Sequence, residues 1–141
     1  MKLRESGMPE EAYWETLVDV PLILDRLEID ARLRNVVEFG CGYGTFTIPV
    51  ARRISGTVTT FDIDEAMVER TRQRAAAAGA YNVLYFVRDV FADGFGGDVG
   101  SKEECLLFNI LHCEEPVRLL AEAARVVRPG GPVLALSLIH I

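Results

Sequence analysis

The stretch that decides the fold lies where the first predicted strand runs into a glycine cluster. It reads Asn35-Val36-Val37-Glu38-Phe39-Gly40-Cys41-Gly42-Tyr43-Gly44-Thr45-Phe46. The residues at 35–39 predict a strand, and residues 45–53 predict a helix. The glycines between them permit a tight turn and let a ligand approach the backbone without interference from a Cβ atom. This order makes the turn the first candidate for a ligand site, because the helix that follows begins with unpaired N–H groups.

The same alternation of strand and helix continues along the chain. Further strands are predicted over residues 57–61, 82–87, 104–108 and 132–138, and further helices over residues 65–78 and 116–126. Asp64 is a good N-cap for the first of these helices, and Gly79 stands where its C-terminal cap belongs. The apolar face of the second consists of Leu119, Leu120 and Ala123. The alternation predicts a doubly wound, mainly parallel sheet of five strands in a three-layer α/β sandwich.

The segment before the first strand is predicted to form a cap. Residues 9–27 have the pattern of one or two amphipathic helices, and they carry Tyr13 and Trp14. We therefore expect an N-terminal helical cap over residues 1–30 and a ligand-binding domain over residues 31–141, together forming one compact domain. Residues 93–102 hold four glycines and predict a flexible loop.

Composition narrows the class of protein. With 141 residues, half of them hydrophobic and 26% charged, the chain is long enough for one folded domain. It has no apolar run of about 20 residues and no secretory leader, which predicts a cytoplasmic protein without a membrane partner. A net charge of −6 disfavours nucleic acid as a partner. Three cysteines without paired spacing predict neither a disulfide framework nor a metal site.

Carboxylates stand at the ends of the first three predicted strands. Glu38 would repel a pyrophosphate but attract an ammonium group; alternatively it is a capping or turn residue. Asp62 follows Gly40 by 22 positions, the spacing at which a carboxylate accepts ribose hydroxyls, whereas Asp64 is better explained as a helix cap. Asp89 ends the third strand, where it is either a turn residue or an acceptor for an adenine amino group.

These segments jointly resemble class I S-adenosylmethionine-dependent methyltransferases. Residues 36–44 look like the first motif of that family, 61–64 like the second and 87–90 like the third. Residues 107–112 resemble the fourth-strand segment of its small-molecule branch, and 125–131 match the turn before the fifth strand. The resemblance covers about residues 30–136, with the motifs in the expected order.

The resemblance implies S-adenosylmethionine as cofactor and gives each matched position a role. The turn at Gly40, Cys41 and Gly42 would accommodate the methionine and ribose parts, and Glu38 would help to position the cofactor from behind. Asp62 would hold the ribose hydroxyls, and Asp89 would contact the adenine amino group. The full set of predicted cofactor-binding residues is Glu38, Gly40, Cys41, Gly42, Gly44, Thr45, Asp62, Ile63, Asp89, Val90, Asn109 and Ile110. In this set Ile63 would pack on adenine with Val90 nearby, and Asn109 and Ile110 would flank the methionine part and face the substrate.

Methyl transfer is an in-line displacement that requires no dedicated catalytic residue when the acceptor is already nucleophilic. His112 is the candidate base for an acceptor hydroxyl or amine; the alternative is a packing role. The segment Phe108-Asn109-Ile110-Leu111 does not resemble the Asn-Pro-Pro-aromatic tetrad of enzymes that methylate amino groups of nucleobases or glutamine. This difference favours a small-molecule acceptor.

Two other functions remain open at this stage. A nicotinamide-dependent oxidoreductase shares the architecture, but Thr45 in place of a third glycine and the acidic Glu38 count against it. A non-catalytic cofactor-binding module is the other alternative, because the family fold adds a C-terminal hairpin after the fifth strand and this chain ends at Ile141. We expect the uncovered edge of that strand to invite a homodimer, and residues 137–141, which resemble translated adapter sequence, not to be native.

Overall fold

The computed structural model describes residues 9–111 and 113–137. Its centre is one sheet of five parallel strands in the order β3-β2-β1-β4-β5, with chain order reversing between β1 and β4. The fold class predicted from the sequence is confirmed. The strands are β1 (Asn35–Phe39), β2 (Thr57–Asp62), β3 (Val83–Val87), β4 (Glu104–Phe108) and β5 (Val133–Leu136).

Helices cover both faces of the sheet. They are α1 (Glu11–Thr16), α2 (Val20–Arg26), α3 (Thr47–Arg53), α4 (Glu65–Ala77), α5 (Val90–Asp93) and α6 (Pro116–Val126). One apolar cluster joins the first four helices to the sheet through residues such as Leu24, Val36 and Val50. A second cluster joins α6 to the opposite side through residues such as Val37 and Leu119. Burial of alternate strand residues against these two clusters produces the three layers.

The N-terminal segment forms two short helices that share the main core. Trp14 is 5% exposed and belongs to the first cluster, whereas Tyr13 is 58% exposed. Asp19 caps α2 by accepting a hydrogen bond from the Leu22 N–H. The division into a cap over residues 1–30 and a domain over residues 31–141 stays a prediction.

Several boundaries differ from those predicted. Helix α3 begins at Thr47, because the glycine turn extends past Gly44. Strand β3 begins after Asn82, whose side-chain amide donates to the Ala51 and Gly56 carbonyl groups. The sequence pattern missed α5 altogether. Leu120 was predicted on the apolar face of α6, but this is wrong, since it is 38% exposed.

Strand β5 ends at Leu136 and is the last strand of the sheet as described. Residues 138–141 lie outside the described residues; they include the last residue of the predicted fifth strand and all but Ser137 of the segment expected not to be native. A homodimer through the β5 edge stays a prediction. None of the helices in residues 9–111 and 113–137 combines the length and hydropathy that crossing a bilayer requires.

Glu104, the first residue of β4, is a buried carboxyl group with an unsatisfied atom. Within the described part of the chain its Oε2 atom has no hydrogen-bond partner. Burial, with the nearby negative charge of Glu103, raises the pKa of Glu104 to about 7. In the unfolded chain the group titrates with an ordinary pKa of 4.5, so the folded chain keeps a proton that the unfolded chain releases between the two values. The free energy of unfolding therefore falls as the pH rises through this range.

We expect Glu104→Gln to leave the free energy of unfolding nearly unchanged at about pH 4.5 and to raise it by about 3 kcal/mol at about pH 8. The amide removes the charge that burial disfavours and keeps the size of the side chain. Urea denaturation of both proteins at the two pH values measures the difference. Equal stability of the two proteins at the higher pH would contradict the raised pKa of Glu104.

Candidate cofactor site

The glycine turn connects the carboxyl end of β1 to α3. The Gly40 and Cys41 N–H groups both donate to the Phe61 carbonyl, at 2.7 and 3.1 Å, which ties the turn to the end of β2. Gly40 has φ +87°, and a Cβ atom there would lie 3.1 Å from Cδ1 of Ile110. Gly44 has φ +81°, and a Cβ atom there would lie 2.9 Å from Cγ2 of Thr71. Both positions therefore require glycine, for backbone conformation and for close approach.

Asp62 holds the turn from the end of β2. It is 8% exposed, and its two carboxylate oxygens accept hydrogen bonds from the Gly42 and Asp64 N–H groups, each at 3.0 Å. Burial raises the pKa of Asp62, while hydrogen bonds from the backbone N–H groups of Asp64, Gly42 and Ile63 oppose that rise. Each carboxylate oxygen has two lone pairs, so Oδ1 can still accept another donor, whereas Oδ2 is also approached by the weak thiol donor of Cys41 at 3.9 Å. The structure thus brings Asp62 to the glycine turn, as the sequence predicted.

Glu38 lies beneath the turn rather than on its surface. The side chain is 1% exposed, and one carboxylate oxygen accepts hydrogen bonds from the Thr47 and Thr60 hydroxyls, the latter at 2.7 Å. Glu38 and Thr60 are paired across β1 and β2. Burial raises the pKa of Glu38 to about 7. In this position Glu38 supports α3 and β2 from within the core, so neither the capping nor the turn alternative describes it.

The third and fourth strand ends complete this edge of the sheet. Asp89 caps α5 by accepting a hydrogen bond from the Ala92 N–H at 3.0 Å, and Val90 is buried at the start of that helix. Asn109 follows β4 with φ +57°, the left-handed conformation that asparagine tolerates better than most residues. Its N–H donates to the Leu136 carbonyl at 2.5 Å, which joins the end of β4 to β5.

The cysteines are poor candidates for chemistry. Cys41 lies within the turn, 6% exposed, with its Sγ atom 3.9 Å from Oδ2 of Asp62. Burial, reinforced by the negative charges of Asp62 and Glu38, raises the pKa of the Cys41 thiol far above its ordinary value. Burial has the same effect on Cys105 in β4. Thiols in such surroundings are inert, because the reactive form is the thiolate.

His112 lies outside the described residues, so its suggested role as a base stays a prediction. In residues 9–111 and 113–137, no group of three His, Cys, Asp or Glu side chains is placed to hold a metal ion.

Four residues that contact Glu38 or the glycine turn were not predicted from the sequence. Thr47 and Thr60 hold Glu38, while Thr71 and Arg74 of α4 contact the turn itself. Thr71 falls in the buried stripe of α4 with Val68 and Ala75, where the helical spacing indicates core packing. The signal that could have found it is a hydroxyl within an otherwise apolar stripe.

Comparison with known proteins decides the family. A family profile described as "Methyltransferase domain" matches residues 36–131, from within β1 to the turn before β5. The chain belongs to the methyltransferase domain family. This confirms the resemblance to class I S-adenosylmethionine-dependent methyltransferases, and S-adenosylmethionine is the cofactor of the family.

Relatives of this methyltransferase domain differ in their acceptors. The chain is 39% identical over 104 residues to a ribosomal protein L11 methyltransferase of Dechloromonas aromatica, and the alignment covers 73% of this chain and 31% of the relative. It is 27% identical over 139 residues to a ubiquinone biosynthesis O-methyltransferase of Neisseria meningitidis, covering 94% of this chain and 57% of the relative. The chain therefore spans about a third to three fifths of the length of these relatives.

Solved structures agree on the fold. A SAM-dependent methyltransferase from Aquifex aeolicus superposes with a TM-score of 0.69 at 20% identity, covering 79% of this chain and 59% of that one. The cyclase SpnF superposes with a TM-score of 0.73 at 21% identity, covering 93% of this chain and 47% of that one. At such identities the likeness concerns the fold alone, and a cyclase among these structures shows that the fold is not confined to methyl transfer.

Proposed function

We propose that this methyltransferase domain binds S-adenosylmethionine at the glycine turn and transfers its methyl group to a small-molecule acceptor. The observation that carries the proposal is the buried carboxylate of Asp62, fixed to the Gly42 N–H at the carboxyl edge of the sheet. This edge, beside the reversal of strand order between β1 and β4, is where ligands bind in doubly wound sheets.

The residues present fit the cofactor. Glycine at positions 40 and 44 lets Ile110 and Thr71 pack directly against the turn, where a side chain would collide with them, and so fixes the path of the turn. Asp62 retains acceptor capacity at Oδ1 for one ribose hydroxyl, and a second hydroxyl can displace the weak Cys41 thiol donor at Oδ2. Burial within this edge strengthens each of these hydrogen bonds, because water competes less for them.

The other proposed cofactor contacts come from residues that lie at the carboxyl ends of the strands. Asp89 accepts a hydrogen bond from the adenine amino group, and Ile63 and Val90 pack on the adenine ring. Asn109 and Ile110 flank the methionine part of the cofactor. The turn contributes Gly40, Cys41, Gly42, Gly44 and Thr45. Glu38 acts indirectly, because its two threonine partners place it beneath the turn.

In methyl transfer the cofactor supplies an electrophilic methyl group on a sulfonium, so the chain has to orient the acceptor and exclude water. Ile110 is partly buried against the second apolar cluster, and its Cδ1 atom lies 3.1 Å from where a Cβ atom of residue 40 would be, so it provides an apolar wall beside the turn. His112 is the residue that would take a proton from an acceptor hydroxyl or amine.

A small-molecule acceptor is supported by the charge of the chain and by one relative. A net charge of −6 opposes association with the phosphate backbone of RNA. The ubiquinone biosynthesis O-methyltransferase aligns with 94% of the chain. Other relatives are named for ribosomal protein L11 and for 23S rRNA, so these acceptor classes serve as comparisons in the test.

The first test is calorimetric titration with S-adenosylhomocysteine, with NADH as the control ligand. We expect saturable one-to-one binding of S-adenosylhomocysteine and no saturable binding of NADH. Comparable NADH binding would favour an oxidoreductase instead. The second test measures cofactor turnover with small molecules that carry a hydroxyl or amine group, with ribosomal protein L11 and with ribosomal RNA. Binding without turnover on any of them would favour a non-catalytic cofactor-binding module.

A further inference from the structure

One face of α4 holds the glycine turn by two successive carbonyl groups. The Thr71 hydroxyl donates to the Gly42 carbonyl at 2.9 Å, and Nη1 of Arg74 donates to the Tyr43 carbonyl at 2.9 Å. Thr71 is fully buried. Because the two residues are three positions apart on a helix, they project side by side. Together they fix the direction of two peptide planes in the turn.

The guanidinium of Arg74 also binds the N-terminal helix α1. Its Nη2 atom lies 2.6 Å from Oε1 of Glu15, and its Nη1 atom lies 3.3 Å from Oε1 of Glu11. Among the described residues, Arg74 is thus in contact with α1 and with the backbone of the turn at once. The planar guanidinium suits this task, because its five donors lie in a rigid fork.

Arg70 provides a natural comparison one turn earlier on α4. Its Nε and Nη2 atoms donate to the two carboxylate oxygens of Glu11, at 2.9 and 3.1 Å. No described hydrogen bond joins Arg70 to the glycine turn. Arg70 therefore attaches α1 to α4 without contacting the proposed cofactor site. Arg74 attaches α1 to α4 and also contacts the glycine turn.

A second contact brings α1 and the turn together. The Tyr43 hydroxyl donates to the Pro9 carbonyl at 2.5 Å, just before α1 begins. Tyr43 thus contacts the segment before α1 through its side chain and Arg74 through its carbonyl. Movement of α1 away from α4 would break both sets of contacts, and it would remove the acidic partners that hold the Arg74 guanidinium in place.

We propose that Arg74 is a positioning residue that couples the docking of α1 on α4 to the shape of the glycine turn, and so to cofactor affinity. The proposal rests on cofactor binding at the turn. Coupling of this kind is reciprocal: if docked α1 strengthens cofactor binding, bound cofactor strengthens the docking of α1 by the same factor.

The test compares Arg74→Gln with Arg70→Gln by calorimetric titration with S-adenosylhomocysteine. We expect Arg74→Gln to weaken binding by about fivefold, since it removes a charge-assisted hydrogen bond to the turn, and Arg70→Gln to change it by less than about twofold. Arg74→Lys keeps the charge but cannot serve the carbonyl and both carboxylates together, so we expect an intermediate loss. Equal losses for the Arg70 and Arg74 variants would overturn the proposal.

Hydrogen exchange supplies a readout that a purely structural role would not move. Adding S-adenosylhomocysteine should slow exchange of the α1 amides in the unaltered protein and in Arg70→Gln, but much less in Arg74→Gln. If the unaltered protein binds no S-adenosylhomocysteine, the proposed function fails. The coupling is then still tested without ligand: Arg74→Gln should speed exchange at Gly42 and Gly44 more than Arg70→Gln does, and equal rates would overturn it.

Discussion

Replacing Asp62 with alanine is expected to weaken S-adenosylhomocysteine binding by about a hundredfold, as measured by calorimetric titration. Two effects add. The variant removes the carboxylate proposed to accept two ribose hydroxyls. It also leaves the Gly42 N–H without its 3.0 Å acceptor, so the turn loses one of its attachments to the end of β2 and keeps those of Gly40 and Cys41 to the Phe61 carbonyl. Hydrogen bonds to a charged acceptor are stronger than those between neutral groups, which is why a single carboxylate has so large an effect.

Asp64 offers a matched control two positions along the chain. Its carboxylate accepts a hydrogen bond from the Ala66 N–H at 2.9 Å and caps α4, and no described hydrogen bond joins its side chain to the turn. We expect Asp64→Ala to lower the free energy of unfolding by about 1 kcal/mol and to leave the dissociation constant unchanged within about twofold. A loss of affinity equal to that of Asp62→Ala would show that both variants act through the stability of α4.

The sequence predicted those features that depend on short-range patterns. Strand β1 was located because a β-branched run meets glycines, and the Asp64 cap because the residue type and the start of α4 coincide. Asp62 was found from its spacing after Gly40, since parallel neighbouring strands end at the same edge of a sheet. Each of these inferences requires only residues close together in the chain or a repeated spacing.

Features that depend on tertiary contacts were not predictable in this way. The hydrogen bonds of Glu38 with Thr47 and Thr60 join three elements, and no local pattern indicates that the carboxyl group points into the core. The contact of Arg74 with the turn requires α1, α4 and the turn to meet. Helix α5 has only four residues, too few for a helical period to emerge from the sequence.

Replacing Glu38 with glutamine is expected to change the pH dependence of stability. The folded pKa of Glu38 is about 7, above the ordinary value of 4.5, because burial penalises the charged form. Between these values the unfolded chain releases a proton that the folded chain retains, so the free energy of unfolding falls as the pH rises, by about 3 kcal/mol in total. Glu38→Gln abolishes this fall and still accepts hydrogen bonds from Thr47 and Thr60 through its amide oxygen.

Urea denaturation from about pH 4.5 to about pH 8 measures the effect. The proteins with and without Glu38→Gln should both carry Glu104→Gln, because Glu104 titrates over the same range.

Glu103 supplies a control of opposite sign. Its Oε1 atom accepts hydrogen bonds from the Arg34 and Asn35 N–H groups, which lower its pKa, so its contribution to stability is present at neutral pH and is lost on acidification. Glu103→Gln should therefore destabilise the protein at about pH 8, where Glu38→Gln stabilises it. Destabilisation by both variants at that pH would mean that Glu38 is held as a carboxylate by its two threonines, with hydrogen bonding outweighing burial.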